Sequence, residues 1–171
     1  MEAKPCSNSL SVKTQHVQPP DTNFHGTLFG GMLLSHIDDL AAIAAVKHAR
    51  KNVVTASIDS VDFLTPVRAG DAIFIEAFVT YTRRTSMEVF VKVITENLVS
   101  EERKVCNTAF LTFVAIDENG KPTPVPPVYP ESDYEKSLHN TAEERAAQRK
   151  ERRDKSKSFA QEIGSDYIWD K

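Results

Sequence analysis

Apolar positions run almost without a break from residue 32 to residue 46, where eleven of fifteen residues are hydrophobic and neither Gly nor Pro occurs. That pattern predicts a helix that is apolar around most of its circumference and must be buried. Gly30 and Gly31 open it, and His48, Arg50 and Lys51 close it with basic side chains where the helix dipole favours them. Downstream, β-branched and aromatic residues with partial alternation predict strands over 53–64, 72–81, 85–94 and 108–116. The short connections between them predict an antiparallel meander. Another strand is expected within residues 9–18. One buried helix against a long antiparallel sheet is an α+β two-layer arrangement. A single sheet around one helix leaves its edges exposed, so pairing with a second copy is expected.

The pattern changes at residues 121–130, a run too dense in proline to continue a helix or a central strand. This run divides the chain into a domain of residues 1–130 and a charged extension of residues 131–171. The extension holds 19 of the 45 charged residues, 9 basic and 10 acidic. Thr141 and Glu144 have capping-box spacing and predict a helix start, with the helix running to about residue 159 before Gly164. Its apolar positions, Ala142, Ala146 and Ala147, are small, so a solvated or partner-contacting helix is expected rather than a core one. Arg145, Arg149, Lys150, Arg152 and Arg153 are interleaved with acids and read as a solvated face. The last dozen residues are expected to lack regular structure.

The 171 residues suffice for one core, and 40% hydrophobic with 26% charged residues is ordinary for a globular protein. A net charge of −3 gives no general attraction to nucleic acid or an anionic membrane surface. No stretch has the length of a membrane span or the apolar core of a secretory signal, so a cytoplasmic protein is expected. Cys6 and Cys106 stand far apart without metal-ligand spacing, so neither a zinc site nor a disulfide framework is expected.

Candidate chemistry concentrates in residues 21–41, DTNFHGTLFGGMLLSHIDDLA. Asp38 and Asp39 interrupt the apolar helix, with no Lys or Arg within one turn. Burying an unpaired carboxylate is expensive, so each is either functional or satisfied from elsewhere in the fold. They point about 100° apart, and one can reach solvent while the other faces inward. Gly30 and Gly31 offer free amides at a helix N-terminus, suited to an oxyanion or an acyl carbonyl oxygen. The chain has no phosphate loop, no GxGxxG and no GxSxG elbow. His25 and His36 are weaker candidates, with a polar loop histidine and a hydrogen-bonded helix histidine as the plainer readings. Ser57, Asp59 and Asp62 read as a solvent-facing or interface side of a strand, and Phe90, Phe110 and Phe113 as core.

Asp21-Thr22-Asn23, then Gly26-Thr27-Leu28-Phe29-Gly30-Gly31, then Ile37-Asp38, together with residues 62–71 (DFLTPVRAGD), resemble the hotdog-fold acyl-CoA thioesterases of the YciA and brain acyl-CoA hydrolase type. The resemblance covers roughly residues 10–118. It implies a curved antiparallel sheet wrapped around the central helix, a homodimer as the minimal active unit, and a hexamer built as a trimer of dimers. It further implies hydrolysis of fatty acyl-CoA to free fatty acid and coenzyme A, with no metal and no cofactor beyond the coenzyme A of substrate and product. Asn23 matches the residue that orients substrate or water, Asp38 the catalytic aspartate and Gly30 the amide that polarises the thioester carbonyl. Phe29 and Gly31 adjoin that amide as substrate-binding candidates. Arg83, Arg84, Thr85 and Ser86 resemble a turn that contacts coenzyme A. Whether Asp38 acts as general base or nucleophile stays open. A hotdog dehydratase and a non-catalytic acyl-CoA or nucleotide binder are the alternatives.

Gly30 and Asp38 lie eight residues apart, about 12 Å along one helix, so a single reacting carbon cannot touch both. If both act at one carbon, they come from different subunits.

Overall fold

The computed structural model describes residues 1–165, 167 and 169. The buried helix, α1, spans Gly30–Ala49, and its last turn is closed by Arg50, which takes the left-handed conformation (φ 54°) and returns its N–H to the Val46 carbonyl. Among the described residues seven strands, numbered in chain order, accompany it: β1 (Lys4–Pro5) and β2 (Ser11–His16) before the helix, then β3 (Asn52–Phe63), β4 (Ala72–Thr82), β5 (Ser86–Glu96), β6 (Arg103–Ile116) and β7 (Val128–Tyr129). The five long strands form one antiparallel sheet in the order β2-β4-β5-β6-β3, and β1 pairs with β7 in a small parallel ribbon. The α+β class and the antiparallel sheet packed on a long helix are as the sequence predicts.

The meander is not complete. β4, β5 and β6 follow one another, but β3 pairs with β6 at the far edge instead of with β4. Residues 64–71 carry the chain back across the sheet. Eight residues reach about 26 Å when extended, more than the roughly 14 Å of three strand spacings, so a short connection does not force neighbouring strands to pair. The crossing is pinned by Leu64 donating to the Cys106 carbonyl (2.9 Å) and Leu28 donating to that of Val67 (2.8 Å).

Alternation along β4, β5 and β6 divides the sheet into two faces. Ile73, Ile75 and Val79, Val89 and Val91, and Leu111 and Phe113 are buried on the face that meets Leu33, Ile37, Leu40 and Ala44 of α1. Phe78, Phe90 and Phe110, directly opposite one another in register, point to the other face. There they meet two C-terminal helices, α2 (Asp133–Asn140) and α3 (Ala142–Ile163). Tyr134 of α2 lies 6.1 Å from Phe90 between ring centres, and the Arg145 guanidinium stacks 4.2 Å over the Phe110 ring.

The capping box is at Ser132 and Glu135, where each side chain accepts the other's backbone N–H, and not at Thr141. Thr141 donates its hydroxyl back to the Ser137 carbonyl, because the chain is already helical when it arrives there. Ala142 and Ala146 are fully or almost fully buried, so small side chains serve close approach in the first turns of α3, while residues 150–163 are exposed as expected of a solvated helix. Helix α3 ends at Ile163, four residues beyond the expected stop, and part of the expectation for the last dozen residues falls outside the described ones.

Candidate active site

Asn23 stands at the start of a tight loop. Its side-chain carbonyl accepts the His25 N–H (2.9 Å) and its amide nitrogen donates to the Thr27 hydroxyl (3.0 Å). Gly26 turns this loop with φ 73°, a conformation strained for other L-residues. The loop then delivers Phe29 to α1, whose first turn has no side-chain cap. Met32 and Leu33 donate to the Phe29 carbonyl, and among the described residues the Gly30 and Gly31 amides have no acceptor. Phe29 folds back over Gly31 so closely that an added Cβ would sit 2.5 Å from its ring. A side chain at Gly31 would have to push the exposed Phe29 ring aside.

Asn23 and Gly30 share a cavity of about 450 Å³ closed by Leu33, Phe63 and the residue 64–67 crossing. Asp38 is not among its walls. The Asp38 carboxylate instead accepts a hydrogen bond from Thr55 of β3 (3.0 Å), next to a bulge that interrupts the ladder between Thr55 and Ser57. Asp39 points elsewhere and pairs with Lys13 of β2 at 3.3 Å. The sequence leaves both carboxylates as candidates, and their partners separate them. Asp39 is satisfied by a cation, while Asp38 has a neutral hydroxyl partner that leaves its charge uncompensated. Thr55 went unrecognised in the sequence because one more threonine in a β-rich run carries no local signal.

The other candidates divide. Arg83 and Ser86 line a groove of about 440 Å³ between α3 and the outer side of the sheet. Arg84 and Thr85 lie beside it and use their carbonyls to receive the Val125 and Ala115 N–H groups. Neither histidine forms an acid–base pair with Asp38. His25 packs its ring against Phe24 at a tilt of 40°, and His36 sits 3.2 Å from the Lys13 ammonium; burial first and that charge second hold the His36 pKa below the usual value. Burial pushes the Cys6 thiol up to about 12 and that of Cys106 up to about 11, so neither offers a thiolate nucleophile. Among the described residues no cluster of three or more His, Cys, Asp and Glu could hold a metal, and no helix is long and apolar enough to cross a membrane.

Asp59, read from the sequence as outward or interface-facing, is held within the fold. Thr112 donates to it at 2.8 Å, Arg149 pairs with it at 3.0 Å and Arg152 at 2.6 Å. Phe113 and Phe90 are buried in the core and Phe110 packs partly buried against it, with Phe90 and Phe110 on the face under the C-terminal helices.

Residues 25–101 match the family described as Thioesterase superfamily. The chain is 53% identical over 168 residues to the uncharacterized acyl-CoA thioester hydrolase YkhA of Bacillus subtilis, covering 98% of each. It is 36% identical over 154 residues to the cytosolic acyl coenzyme A thioester hydrolase of Rattus norvegicus, covering 89% of this chain but only 40% of that longer protein. Among solved structures, an apo-hexameric acyl-CoA thioesterase superposes with a TM-score of 0.87 at 51% identity, covering 89% of this chain and 97% of that one. The acyl-CoA hydrolase of Staphylococcus aureus, in complex with butyryl coenzyme A, coenzyme A and coenzyme A disulfide, superposes at 0.91 with 45% identity, covering 95% and 99%. That enzyme has also been solved with alanine in place of an asparagine, of an aspartate 15 residues later and of a threonine 17 residues beyond it. Asn23, Asp38 and Thr55 have the same spacing here. With its fold, its glycine-opened helix and near-complete alignment with YkhA, this chain belongs to the acyl-CoA thioester hydrolases of the thioesterase superfamily.

Proposed function

We propose that this protein hydrolyses fatty acyl-CoA to a free fatty acid and coenzyme A in a site assembled from two copies of the chain, in the cytoplasm. The observation that carries the reading is the division within one chain. Gly30 and Asn23 flank a cavity, and Asp38 is tied to Thr55 away from it. A partner supplies the missing half. Ile43 and Val46 on α1 and Val54 and Ile58 on the edge strand β3 are exposed in the single chain and form an apolar surface for that partner to cover. The hexameric state of a 51% identical relative supports the same assembly, as a trimer of dimers. The catalytic unit is residues 1–130, with α2 and the first turns of α3 laid over its outer face.

In this site the thioester carbonyl oxygen accepts hydrogen bonds from the Gly30 and Gly31 amides, which stabilise the charge that develops on it. Asp38 of the partner subunit takes a proton from water as the water oxygen bonds to the carbonyl carbon, while Asn23 orients the attacking group. Collapse of the tetrahedral intermediate breaks the C–S bond, and the proton passes to the leaving sulfur. Direct attack by the carboxylate, with hydrolysis of the resulting anhydride, uses the same residues. The reaction requires substrate and water only.

Thiol release across acyl-CoAs of increasing chain length tests the reading. Asp38→Asn is expected to lower kcat by about 10²–10⁴ with an unchanged melting temperature. Mixed and reassembled Asn23→Ala and Asp38→Ala proteins are expected to recover activity that neither has alone. Wild-type turnover in Asp38→Asn would sink the assignment.

A further inference from the structure

Helix α3 crosses the strands of its own sheet and then leaves them. Arg145 meets Glu88 of β5 at 2.8 Å over the Phe110 ring of β6, and Arg149 and Arg152 meet Asp59 of β3 at 3.0 and 2.6 Å. From Arg145 to Arg152 the helix rises about 10 Å, the width of two strand spacings, so its axis runs steeply across the strands. β3 is the edge of the sheet, yet α3 continues past Arg152 to Ile163. That stretch reaches about 16 Å, or roughly three further strand spacings, and among the described residues no strand lies there.

The side of α3 that grips the sheet continues beyond the edge. Arg145, Arg149 and Arg152 alternate four and three residues apart, and Ser156, Phe159 and Ile163 extend the same stripe at the same spacing. Contact ends where charge gives way to apolar side chains: Phe159 is 61% and Ile163 59% exposed. The opposite side of this stretch is solvated and carries the Glu151–Lys155 ion pair at 2.6 Å. A helix end of this length that presents Phe and Ile with no sheet below them is marginal in water by itself. What belongs under it is a continuation of the sheet. A second copy supplies that continuation when it pairs along β3, the edge that already exposes Val54 and Ile58. Val54 stands opposite Val114 in register, and Val114 lies beside Arg149 and Arg152, so Val54 faces the side of the sheet on which α3 runs.

We propose that the end of α3 is an arm that docks on the outer sheet face of the dimer partner, with Phe159 and Ile163 as its anchors and the partner's Val54 in the apolar patch they cover. The proposal rests on the two-copy assembly described above and adds a contact on the opposite side of the sheet from α1. A twofold axis makes the docking reciprocal, so each dimer carries two such arms running antiparallel over the β3 seam. The charged extension then has two roles along its length. Its start is fastened to its own sheet by Arg145, Arg149 and Arg152, and its end fastens the neighbour.

The test compares full-length wild type with Phe159→Glu/Ile163→Glu and with Ser158→Glu/Gln161→Glu, which adds the same charge on the solvated side of α3. Sedimentation gives the dimer dissociation constant, and hydrogen exchange follows the amides of residues 156–163. Slow exchange there is expected in wild-type dimers. Phe159→Glu/Ile163→Glu should raise the dissociation constant by at least about 100-fold and bring those amides to the exchange rate of a free peptide, while the control matches wild type. Because the proposed active site takes residues from both copies, the specific activity of that variant should also fall on dilution where wild type and control keep theirs. Fast exchange of residues 156–163 in wild-type dimers would overturn the arm, as would equal dissociation constants in all three proteins or equal weakening by both charged pairs. Intact dimers of Phe159→Glu/Ile163→Glu that no longer form hexamers would overturn it too, in favour of docking between dimers. The milder Phe159→Ala/Ile163→Ala variant guards against a folding defect and should shift the dissociation constant in the same direction by less, both side chains being exposed in the single chain. A wild type that sediments as a monomer defeats the two-copy assembly itself, and the arm with it.

Discussion

On the helix-facing side of the sheet, Ile37 of α1 is fully buried among Val, Ile, Leu and Phe side chains of β4, β5 and β6, and close packing of apolar groups joins the two layers. On the opposite side, Arg145 of α3 reaches down to Glu88 of β5, whose side chain is 1% exposed, and grips it with two hydrogen bonds of 3.1 and 2.8 Å. Thr80 donates a third to the same carboxylate at 2.8 Å. One layer is attached by non-directional burial and the other by directional charge pairs set among aromatic rings. The difference bears on what each attachment can tolerate. An apolar contact degrades gradually as volume is lost, whereas a buried carboxylate deprived of its cation leaves a charge that nothing compensates.

The sharpest way to break that comparison is Arg145→Ala. It leaves Glu88 buried with the more distant Arg149 as its remaining cation, and a loss of about 3 kcal/mol is expected from removing one member of a buried pair. Chemical denaturation measures the loss, and limited proteolysis should cut first within residues 133–163. Glu88→Leu combined with Arg145→Met replaces the pair by apolar groups and should restore most of the stability, because the pair's main energetic role is to satisfy itself. If both variants are equally unstable, the charges do more than compensate one another.

The same contrast explains what the sequence conveys. The eleven apolar residues between 32 and 46 announce α1, and alternation announces β4 and β5, because burial on one face imposes a period on the chain. Glu88 and Arg145 lie 57 residues apart, and neither differs from a surface residue until the sheet and α3 are folded together. Asp59 with Arg149 and Arg152 is hidden for the same reason. The partition of the candidate site was half visible. Helical rise alone separates Gly30 from Asp38 and the resemblance picks Asp38, but the physical difference between Asp38 and Asp39 lies in Thr55 and Lys13, which the fold brings from β3 and β2. The crossing of residues 64–71 was illegible because loop length bounds reach without choosing a partner.

Thr55→Ala sharpens the comparison on the helix-facing side, where one hydroxyl meets the candidate catalytic carboxylate. Losing a hydrogen bond to a charged group removes about 1.5 kcal/mol, and a fall of about tenfold in kcat is expected. KM should change little, because the Thr55 hydroxyl is spent on Asp38. Thr55→Ser, which keeps the hydroxyl, should recover most of the rate. Steady-state kinetics of the two variants decide it, and a serine variant as slow as the alanine one would remove the hydrogen bond from the account.

The smallest expected effect concerns His48, where α1 ends against the proline-rich segment. Its side chain is fully buried, Nε2–H donates to the Pro126 carbonyl at 2.9 Å, and Nδ1 has no partner. Lys4 donates to the His48 carbonyl at 2.7 Å and places an ammonium nearby. Burial first, and that positive charge in addition, depress the folded-state pKa, against the partial opposition of the Pro126 hydrogen bond. A histidine with a depressed folded pKa binds protons more readily when unfolded, so its contribution to stability is fully present above the unfolded value of about 6.5 and declines as pH falls below it. The urea midpoint of the wild type should therefore drop between pH 7.5 and pH 5. In His48→Gln, which retains an amide donor for Pro126 but cannot titrate, that drop should be smaller even though the variant is less stable at neutral pH. An equal drop in both proteins would assign the acid sensitivity to other groups.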